Sequence, residues 1–269
     1  MPVSSLPRVG LGTVSDDPDE WTENVKTALD MGYRHVDTAQ MYENEKQVGE
    51  GIRASSVARE DVFLATKTVY HDVPATPEDV GDAIDESLDR LGVDYVDAFY
   101  VHWPSGVYEP EVVLPQYDEA VEDGKVKHVG VANFTPELLD EAREILDAPI
   151  AAHQVEYHPL LQQDELLEYA QEHDHWLVAY CPVARGEVFD VPEVVEVAEK
   201  HGITAAQASL AWLLSKDNVA VIPKSSSEVH MRENLESQNV ELDDDDVAKI
   251  DGVEREHRLI DPEYGPWNW

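Results

Sequence analysis

Polar side chains of complementary chemistry follow several short apolar runs in the first half of the sequence. Asp37, Lys67 and His102 each come at or near the end of such a run, and Tyr42 lies shortly after Asp37. In a parallel sheet the carboxyl ends of the strands share one edge, and in a closed barrel they share one mouth. We therefore treat these four residues as one candidate site.

The four side chains together are suited to protonating a carbonyl oxygen while a hydride reaches its carbon. A free tyrosine has a pKa of about 10, and a nearby ammonium lowers that pKa, so Lys67 is expected to make Tyr42 a better acid. Asp37 would keep Lys67 charged and oriented, and His102 would hydrogen-bond the substrate carbonyl. Taken alone, Asp37 and Lys67 are equally well explained as a structural ion pair across adjacent strand ends. The presence of Tyr42 and His102 at matching strand ends favours the catalytic interpretation over a purely structural one.

The elements that must position these residues are strands alternating with helices. Each candidate strand is a short β-branched or apolar run, followed by residues with helical spacing. The eight strand candidates are Val9–Thr13, Tyr33–Thr38, Val62–Lys67, Val96–His102, His128–Ala132, Ala152–Glu156, Trp176–Tyr180 and Val219–Pro223. Helical spacing is clear at Val80–Leu91 and at Glu137–Leu146, the latter opened by Thr135 and Pro136 as N-cap and N1 residues.

Eight such units predict an α/β fold of the (β/α)8 or TIM-barrel type, forming one domain over residues 1–269. The alternative is an open doubly wound sheet, which binds dinucleotides through a G-x-G-x-x-G segment that opens a helix. The glycines of segment 10–15, GLGTVS, do not lead into a helical pattern, so the barrel is favoured. The acidic run Asp243–Asp246 lacks the spacing of a calcium loop and is interpreted as a helix N-terminus.

The composition indicates a folded core under a strongly acidic surface. The chain has 57 acidic and 19 basic residues, a formal net charge of −38, and 42% hydrophobic residues. Such a surface repels nucleic acid and anionic membranes, and screening by salt relieves its self-repulsion, so we expect a protein from a salt-adapted organism. The opening residues do not resemble a secretory leader, no long apolar run could span a membrane, and Cys181 is the one cysteine. A cytoplasmic monomer acting on a small carbonyl compound is therefore expected.

The motifs around the candidate site resemble those of the aldo-keto reductase family. The stretch GYRHVDTAQMYENE at residues 32–45 is similar to the family's G-Y-R-x-x-D-T-A-x-x-Y-x-N-E, which carries its catalytic Asp and Tyr. Further matches are Thr66-Lys67, His102-Trp103-Pro104, GVANF at 130–134, QVEYHP at 154–159, YCP at 180–182 and IPKS at 222–225 with Glu233-Asn234. The resemblance runs from about residue 9 to residue 234 and points to the 2,5-diketogluconate reductase-like branch.

The resemblance implies a reductase of aldehydes or ketones that uses NADPH, with NADH as the alternative cofactor. Asn133 and Gln154 would hold the nicotinamide carboxamide, Tyr180 would stack on the nicotinamide ring, and Lys224 with Ser225 would bind the adenosine phosphate. The other cofactor contacts implied are Cys181, Pro182, His230, Glu233 and Asn234. An amide can pair with an amide, an aromatic face suits a planar ring, and Lys binds phosphate as a point charge.

The sequence departs from the family pattern at four positions. Ala132 and Cys181 replace serines near the cofactor, which weakens two hydrogen bonds, and His230 stands where relatives place an arginine. Val14 replaces a pocket tryptophan and opens the substrate side. Trp103, Val14 and Trp267 are the predicted substrate-pocket residues, with Trp267 carried by a C-terminal extension over the barrel mouth.

Other chemistries have weaker support in the sequence. The segment His153–His158 contains two histidines and a glutamate, but it matches no zinc motif and its side chains alternate between faces, so no metal site is predicted. A barrel hydrolase would need carboxylates at the strand ends, where few are found. A non-catalytic subunit that senses the cofactor is the remaining alternative, and the four filled catalytic positions argue against it.

The net charge of −38 predicts that the fold depends on salt. Lowering KCl from molar to about 0.1 M lengthens the screening distance from roughly 3 to 10 Å, which increases repulsion within the folded state more than in the expanded unfolded chain. The melting temperature should therefore fall as KCl is removed, as followed by circular dichroism at several concentrations. A melting temperature that is flat or rises as KCl is removed would contradict the halophilic interpretation.

Overall fold

The computed structural model describes residues 6–15, 17–68, 75–105 and 107–269, and it shows eight parallel strands in one sheet. The strands are β1 Leu11–Gly12, β2 His35–Asp37, β3 Phe63–Thr68, β4 Val96–Val101, β5 Val126–Ala132, β6 Ile150–Glu156, β7 Trp176–Tyr180 and β8 Val219–Val221. They pair in chain order, and parallel bridges of Val9 with Val221 and of Gly12 with Lys224 join the two edges. The predicted (β/α)8 barrel is confirmed, with strand bounds that differ from the expected ones by a few residues.

Helices connect the strands and cover the outside of the barrel. They are α1 Trp21–Met31, α2 Glu45–Ala54, α3 Pro77–Leu91, α4 Pro110–Glu122, α5 Pro136–Ile145, α6 Asp164–Glu172, α7 Pro192–His201, α8 Ala205–Leu214, α9 Glu228–Glu236 and α10 Asp244–Asp251. Helix α3 begins three residues before the predicted Val80 because Thr76 and Asp79 form a reciprocal capping box ahead of it. Asp243 caps α10 in the same way, which confirms that the acidic run opens a helix.

Side chains alternate between the two faces of each strand, so the barrel has an inner and an outer apolar layer. The inner cluster contains Leu6, Phe63, Ala65, Ala98, Tyr100, Ala151, Ala152, Trp176, Val178, Ala220 and Ile222. Gly130 is part of this fit, since a Cβ built there would come within 2.5 Å of the Tyr100 ring. Continuing the same alternation toward the carboxyl ends places Lys67, His102, Gln154 and Tyr180 on the inward face at the mouth.

The chain continues beyond α10 as a C-terminal tail, residues 257–269, that returns to the carboxyl-end mouth of the barrel. The backbone N–H of His257 donates to the carbonyl oxygen of Leu160 at 2.7 Å, and the rings of Tyr264 and Trp267 contact Trp103. The predicted extension over the mouth is therefore present. Within the described parts of the chain no helix is long and apolar enough to cross a membrane, and residues 1–5, on which the expectation about a leader rests, lie outside them.

Candidate active site

A fully buried ion pair joins the ends of β2 and β3. Lys67 Nζ lies 2.5 Å from Asp37 Oδ1 and donates a second hydrogen bond, of 2.7 Å, to the carbonyl oxygen of Thr38. The other carboxylate oxygen, Asp37 Oδ2, accepts from Gln154 Nε2 at 2.8 Å. Burial lowers the pKa of Lys67, and the charge of Asp37 opposes that effect. The pair is thus held from three strands, as a buried charge requires.

Tyr42 and His102 come together beside this ion pair. Their rings are 6.0 Å apart in an edge-to-face arrangement, and Lys67 Nζ lies 5.3 Å from the centre of the Tyr42 ring. Tyr42 stands on a short 3-10 turn, Gln40–Tyr42, that begins two residues after the end of β2, while His102 directly follows β4. The structure therefore brings Asp37, Tyr42, Lys67 and His102 into one cluster, as the sequence predicted.

The expectation that Lys67 lowers the pKa of Tyr42 is wrong for this structure. Burial of the phenol raises the pKa of Tyr42 above its ordinary value, and the negative charge of Asp37 raises it further. Both effects favour the protonated phenol. Burial is the largest of these effects, and the ammonium of Lys67, which is paired with Asp37, does not offset it.

The two amide side chains predicted for the cofactor lie on the same side of the barrel as the ion pair. Asn133 Nδ2 donates to the carbonyl oxygen of His102 at 2.9 Å, and Asn133 Oδ1 accepts from Tyr180 Oη at 2.8 Å. Asn133 has a left-handed backbone conformation, with φ of 63°, which Asn tolerates better than most residues. The backbone conformation thus favours an asparagine just after β5, in addition to the predicted role of this residue in cofactor binding. Gln154 reaches the site from the inward face of β6 through its bond to Asp37.

These residues line a cleft of about 450 Å³ at the mouth. The lining comprises Gly12, Thr13, Val14, Asp37, Met41, Tyr42, His102, Trp103, Asn133, Gln154, Tyr180, Cys181, Pro182, Val183, Arg185, Ile222, Lys224, Ile260 and Tyr264. Val14 and Trp103, both predicted for the substrate pocket, are among them, and so are the predicted cofactor contacts Cys181 and Pro182. The cleft thus has Tyr42, His102 and the ion pair on one side and a largely apolar wall on the rest of its lining.

The side chains that line the cleft include more positive than negative charges, unlike the chain as a whole. Among the described lining residues, Lys224 and Arg185 are the cations that are not paired with a carboxylate of the lining, and Asp37 is neutralised by Lys67. Because the chain carries a net charge of −38, this is a local cationic region on an anionic protein. A cationic cleft concentrates anionic ligands such as phosphate groups.

The loop after β7 carries the strongest backbone strain near the site. Cys181, Ala184 and Arg185 have positive φ values of 48°, 46° and 51°, followed by Gly186 at 98°. Such conformations cost energy in non-glycine residues and persist where the surroundings enforce them. Burial raises the pKa of the Cys181 thiol, so this cysteine is a neutral lining group. Arg185 was not predicted, because the position of a loop side chain does not follow from strand alternation.

Four predicted cofactor residues lie outside the cleft lining, on and before α9. Ser225 is buried and accepts from the backbone N–H of Ser227 at 3.1 Å, while His230 is exposed on the first turn of α9. Asn234 is buried and Glu233 is half-buried on the same helix. Lys224 connects this region to the cleft, with Nζ 5.9 Å from the centre of the buried Trp21 ring.

Trp267, predicted for the substrate pocket, is not among the residues that line this cleft but lines a second pocket of about 250 Å³ that also includes Asn133 and Arg258. Its ring packs against Trp103 with centroids 5.7 Å apart, the guanidinium of Arg258 lies 3.9 Å from the ring centre, and its Nε1 donates to Asp261 at 2.8 Å. The tail contributes Ile260 and Tyr264 to the cleft lining. Neither residue was predicted, because the tail sequence has no periodic pattern that indicates where its side chains point.

The two histidines around Gln154 have separate environments. His153 Nε2 accepts from the backbone N–H of Phe134 at 3.1 Å, and burial lowers the pKa of His153 well below its ordinary value. His158 Nε2 pairs with Glu156 at 2.8 Å. Alternation along β6 separates the first histidine from this pair. In the described portion of the chain no group of three or more His, Cys, Asp or Glu side chains has the arrangement of a metal site.

Comparison with known proteins agrees with this geometry. The profile of the aldo/keto reductase family matches residues 8–255. The chain is 34% identical over 262 residues to methylglyoxal reductase DkgB of Escherichia coli, covering 96% of this chain and 97% of that protein. It is 36% identical to glyoxal reductase of Bacillus subtilis, covering 94% of this chain and 91% of that protein.

Solved structures of similar fold carry related descriptions. A putative 2,5-diketo-D-gluconic acid reductase B superimposes with a TM-score of 0.91 at 36% identity, covering 97% of this chain and 92% of that one. An aldo-keto reductase from a deep-sea metagenome library superimposes with a TM-score of 0.89 at 32% identity, covering 96% of this chain and 94% of that one. On its sequence, its barrel and the convergence of the four site residues, the chain belongs to the aldo/keto reductase family and is an NAD(P)H-dependent oxidoreductase.

Proposed function

We propose that this enzyme reduces small aldehydes or ketones with NADPH and that Tyr42 donates the proton. The observation that carries the proposal is the convergence of Tyr42 and His102 over the buried Asp37–Lys67 pair in a cleft open to a small molecule. The relatives described as glyoxal and methylglyoxal reductases make small 2-oxoaldehydes the first substrates to test.

The residues of the cleft fit a nicotinamide cofactor. Asn133 and Gln154 present amides, each with donor and acceptor capacity beyond the bonds already described, and Tyr180 offers an aromatic face. Lys224 and Arg185 supply positive charge for the phosphates, on a protein that is otherwise strongly anionic. When bound, a nicotinamide cofactor would supply the hydride for the carbonyl carbon.

The side chains of the enzyme supply and balance the proton. Tyr42 donates its phenolic proton to the carbonyl oxygen as that oxygen gains negative charge, because the alkoxide formed is far more basic than a phenolate. The tyrosinate that results lies beside the ammonium of Lys67, which stabilises it. His102 hydrogen-bonds the carbonyl and fixes its direction, and Asp37 holds Lys67 in place.

Removing the proton donor should abolish most of the turnover. Tyr42→Phe keeps the ring against His102 but deletes the hydroxyl, so kcat should fall by at least roughly 10²- to 10⁴-fold, with cofactor binding retained. The measurement is NADPH oxidation with methylglyoxal, alongside cofactor titration by fluorescence. Tyr157→Phe, a matched change in the outer core, should leave kcat unchanged. Near-normal turnover in Tyr42→Phe would refute Tyr42 as the acid.

The raised pKa of Tyr42 should be visible in an alkaline titration of the enzyme. A pKa above that of free tyrosine, about 10, keeps the phenol protonated through the pH range in which exposed tyrosines ionise. The phenolate absorbance of the native wild type and of Tyr42→Phe should therefore coincide up to about pH 10. In denaturant, where all 11 tyrosines ionise, the two proteins should differ by one tyrosinate. A native difference that develops below pH 10 would contradict the assignment.

His230 should make the preference for NADPH over NADH weaker than an arginine would. It stands on the first turn of α9 where relatives have an arginine, and Arg232 is rotated away by about 200° on the same helix. An imidazole has at most two N–H donors, while a guanidinium has five and pairs with phosphate in a bidentate way, so His230 offers a 2′-phosphate fewer hydrogen bonds.

The ratio of kcat/KM for NADPH to that for NADH should therefore be larger in His230→Arg than in the wild type. A ratio that is unchanged in His230→Arg would show that His230 does not contact the 2′-phosphate.

A further inference from the structure

Glu156 is a buried carboxylate at the mouth that the proposed reaction does not use. It is the last residue of β6, two positions after Gln154, so both side chains lie on the inward face. Its Oε1 accepts from His158 Nε2 at 2.8 Å and from the backbone N–H of Leu259 at 2.7 Å. Its Oε2 accepts from the backbone N–H of Ile260 at 2.8 Å. The side chain is fully buried by these contacts.

The positions of these donors in the chain show which segment the Glu156 carboxylate holds. Leu259 and Ile260 are 103 and 104 residues further along the chain, in the tail that crosses the mouth. A carboxylate that served the barrel alone would take its donors from neighbouring strands and loops, as Asp97 does at the opposite end of the strands. Two of the three donors to Glu156 come from the tail, and Ile260 also lines the cleft.

We propose that Glu156 is a positioning residue that docks the tail across the mouth and thereby sets the affinity for the carbonyl substrate. The docked segment places Ile260 and Tyr264 in the cleft wall, and Tyr264 and Trp267 against Trp103. Glu156 touches neither the reacting atoms nor the four site residues. Its effect on substrate binding rests on the proposed reductase activity, while its effect on tail docking does not.

The charge state and tautomer agree with this role. The two tail N–H groups and His158 lower the pKa of Glu156 below its ordinary value in spite of burial. An ionised carboxylate only accepts hydrogen bonds, so His158 Nε2 carries the proton and donates. All three donors are then satisfied by two oxygens. Replacing one oxygen by an amide NH2 necessarily leaves one donor facing another donor.

Glu156→Gln is therefore the first test, with hydrogen exchange and kinetics as separate measurements. Amide exchange in a peptide covering residues 257–262 should accelerate about tenfold, since one bond to a charged acceptor is lost. KM for methylglyoxal should rise by roughly three- to tenfold while kcat stays within about twofold. Asp97→Asn, a matched loss of a buried carboxylate at the far end of the barrel, should lower the melting temperature but change neither the tail exchange nor KM.

A second pair of variants probes the same contact from the tail. Leu259→Pro deletes the N–H that donates to Glu156, while Leu259→Ala removes side-chain packing and keeps that N–H. The proline variant should reproduce the effects of Glu156→Gln and the alanine variant should not. Combining Glu156→Gln with Leu259→Pro should raise KM by less than the product of the two single effects. This pair keeps the test available if Glu156→Gln does not fold.

The outcomes distinguish the two proposals. Unchanged tail exchange in both Glu156→Gln and Leu259→Pro would overturn the anchoring role whatever the activity. Faster exchange with an unchanged KM would overturn the link between docking and substrate affinity. A wild type that reduces no carbonyl compound would refute the proposed function, and the exchange experiment would still decide whether Glu156 holds the tail.

Discussion

Closing eight parallel strands into one barrel forces every second residue of each strand to point inward, and the site depends on this constraint. The lower inward positions are filled mostly by apolar or aromatic side chains such as Phe63, Tyr100 and Trp176. The last inward positions, next to the loops, are where charged side chains can find polar partners. Asp37 and Lys67 occupy this layer on adjacent strands, which is why they meet.

The buried Asp37–Lys67 pair in turn fixes the rest of the mouth. Removing two charges from water costs several kcal/mol for each ion, and the pair recovers this only with good geometry and additional hydrogen bonds. Thr38 and Gln154 supply those bonds from β2 and β6. The pair therefore couples three strands through charge rather than through packing.

Sequence patterns predicted the features that depend on periodicity. Strand and helix order, the inward position of Gln154 and the meeting of Lys67 with Asp37 all follow from a two-residue repeat and a common strand direction. Features that depend on how deeply a side chain is buried, or on the path of a loop, could not be predicted from these patterns. The raised pKa of Tyr42 reflects how deeply the phenol sits. Arg185 and Tyr264 reach the cleft from a strained loop and from the tail, where no repeat constrains direction.

Along strand β6, the two-residue alternation of side chains places three residues with different roles on the inward face. Its successive inward residues are Ala152 in the inner core, Gln154 on the ion pair and Glu156 under the tail. Moving the strand by one residue would turn all three outward together. The inner core, the buried ion pair and the docking of the tail are thus tied to one register. Glu156 binds the tail through two backbone N–H groups, which every residue except proline has. Substitutions in the tail can therefore change the side chains of the cleft wall as long as those two N–H groups still reach Glu156.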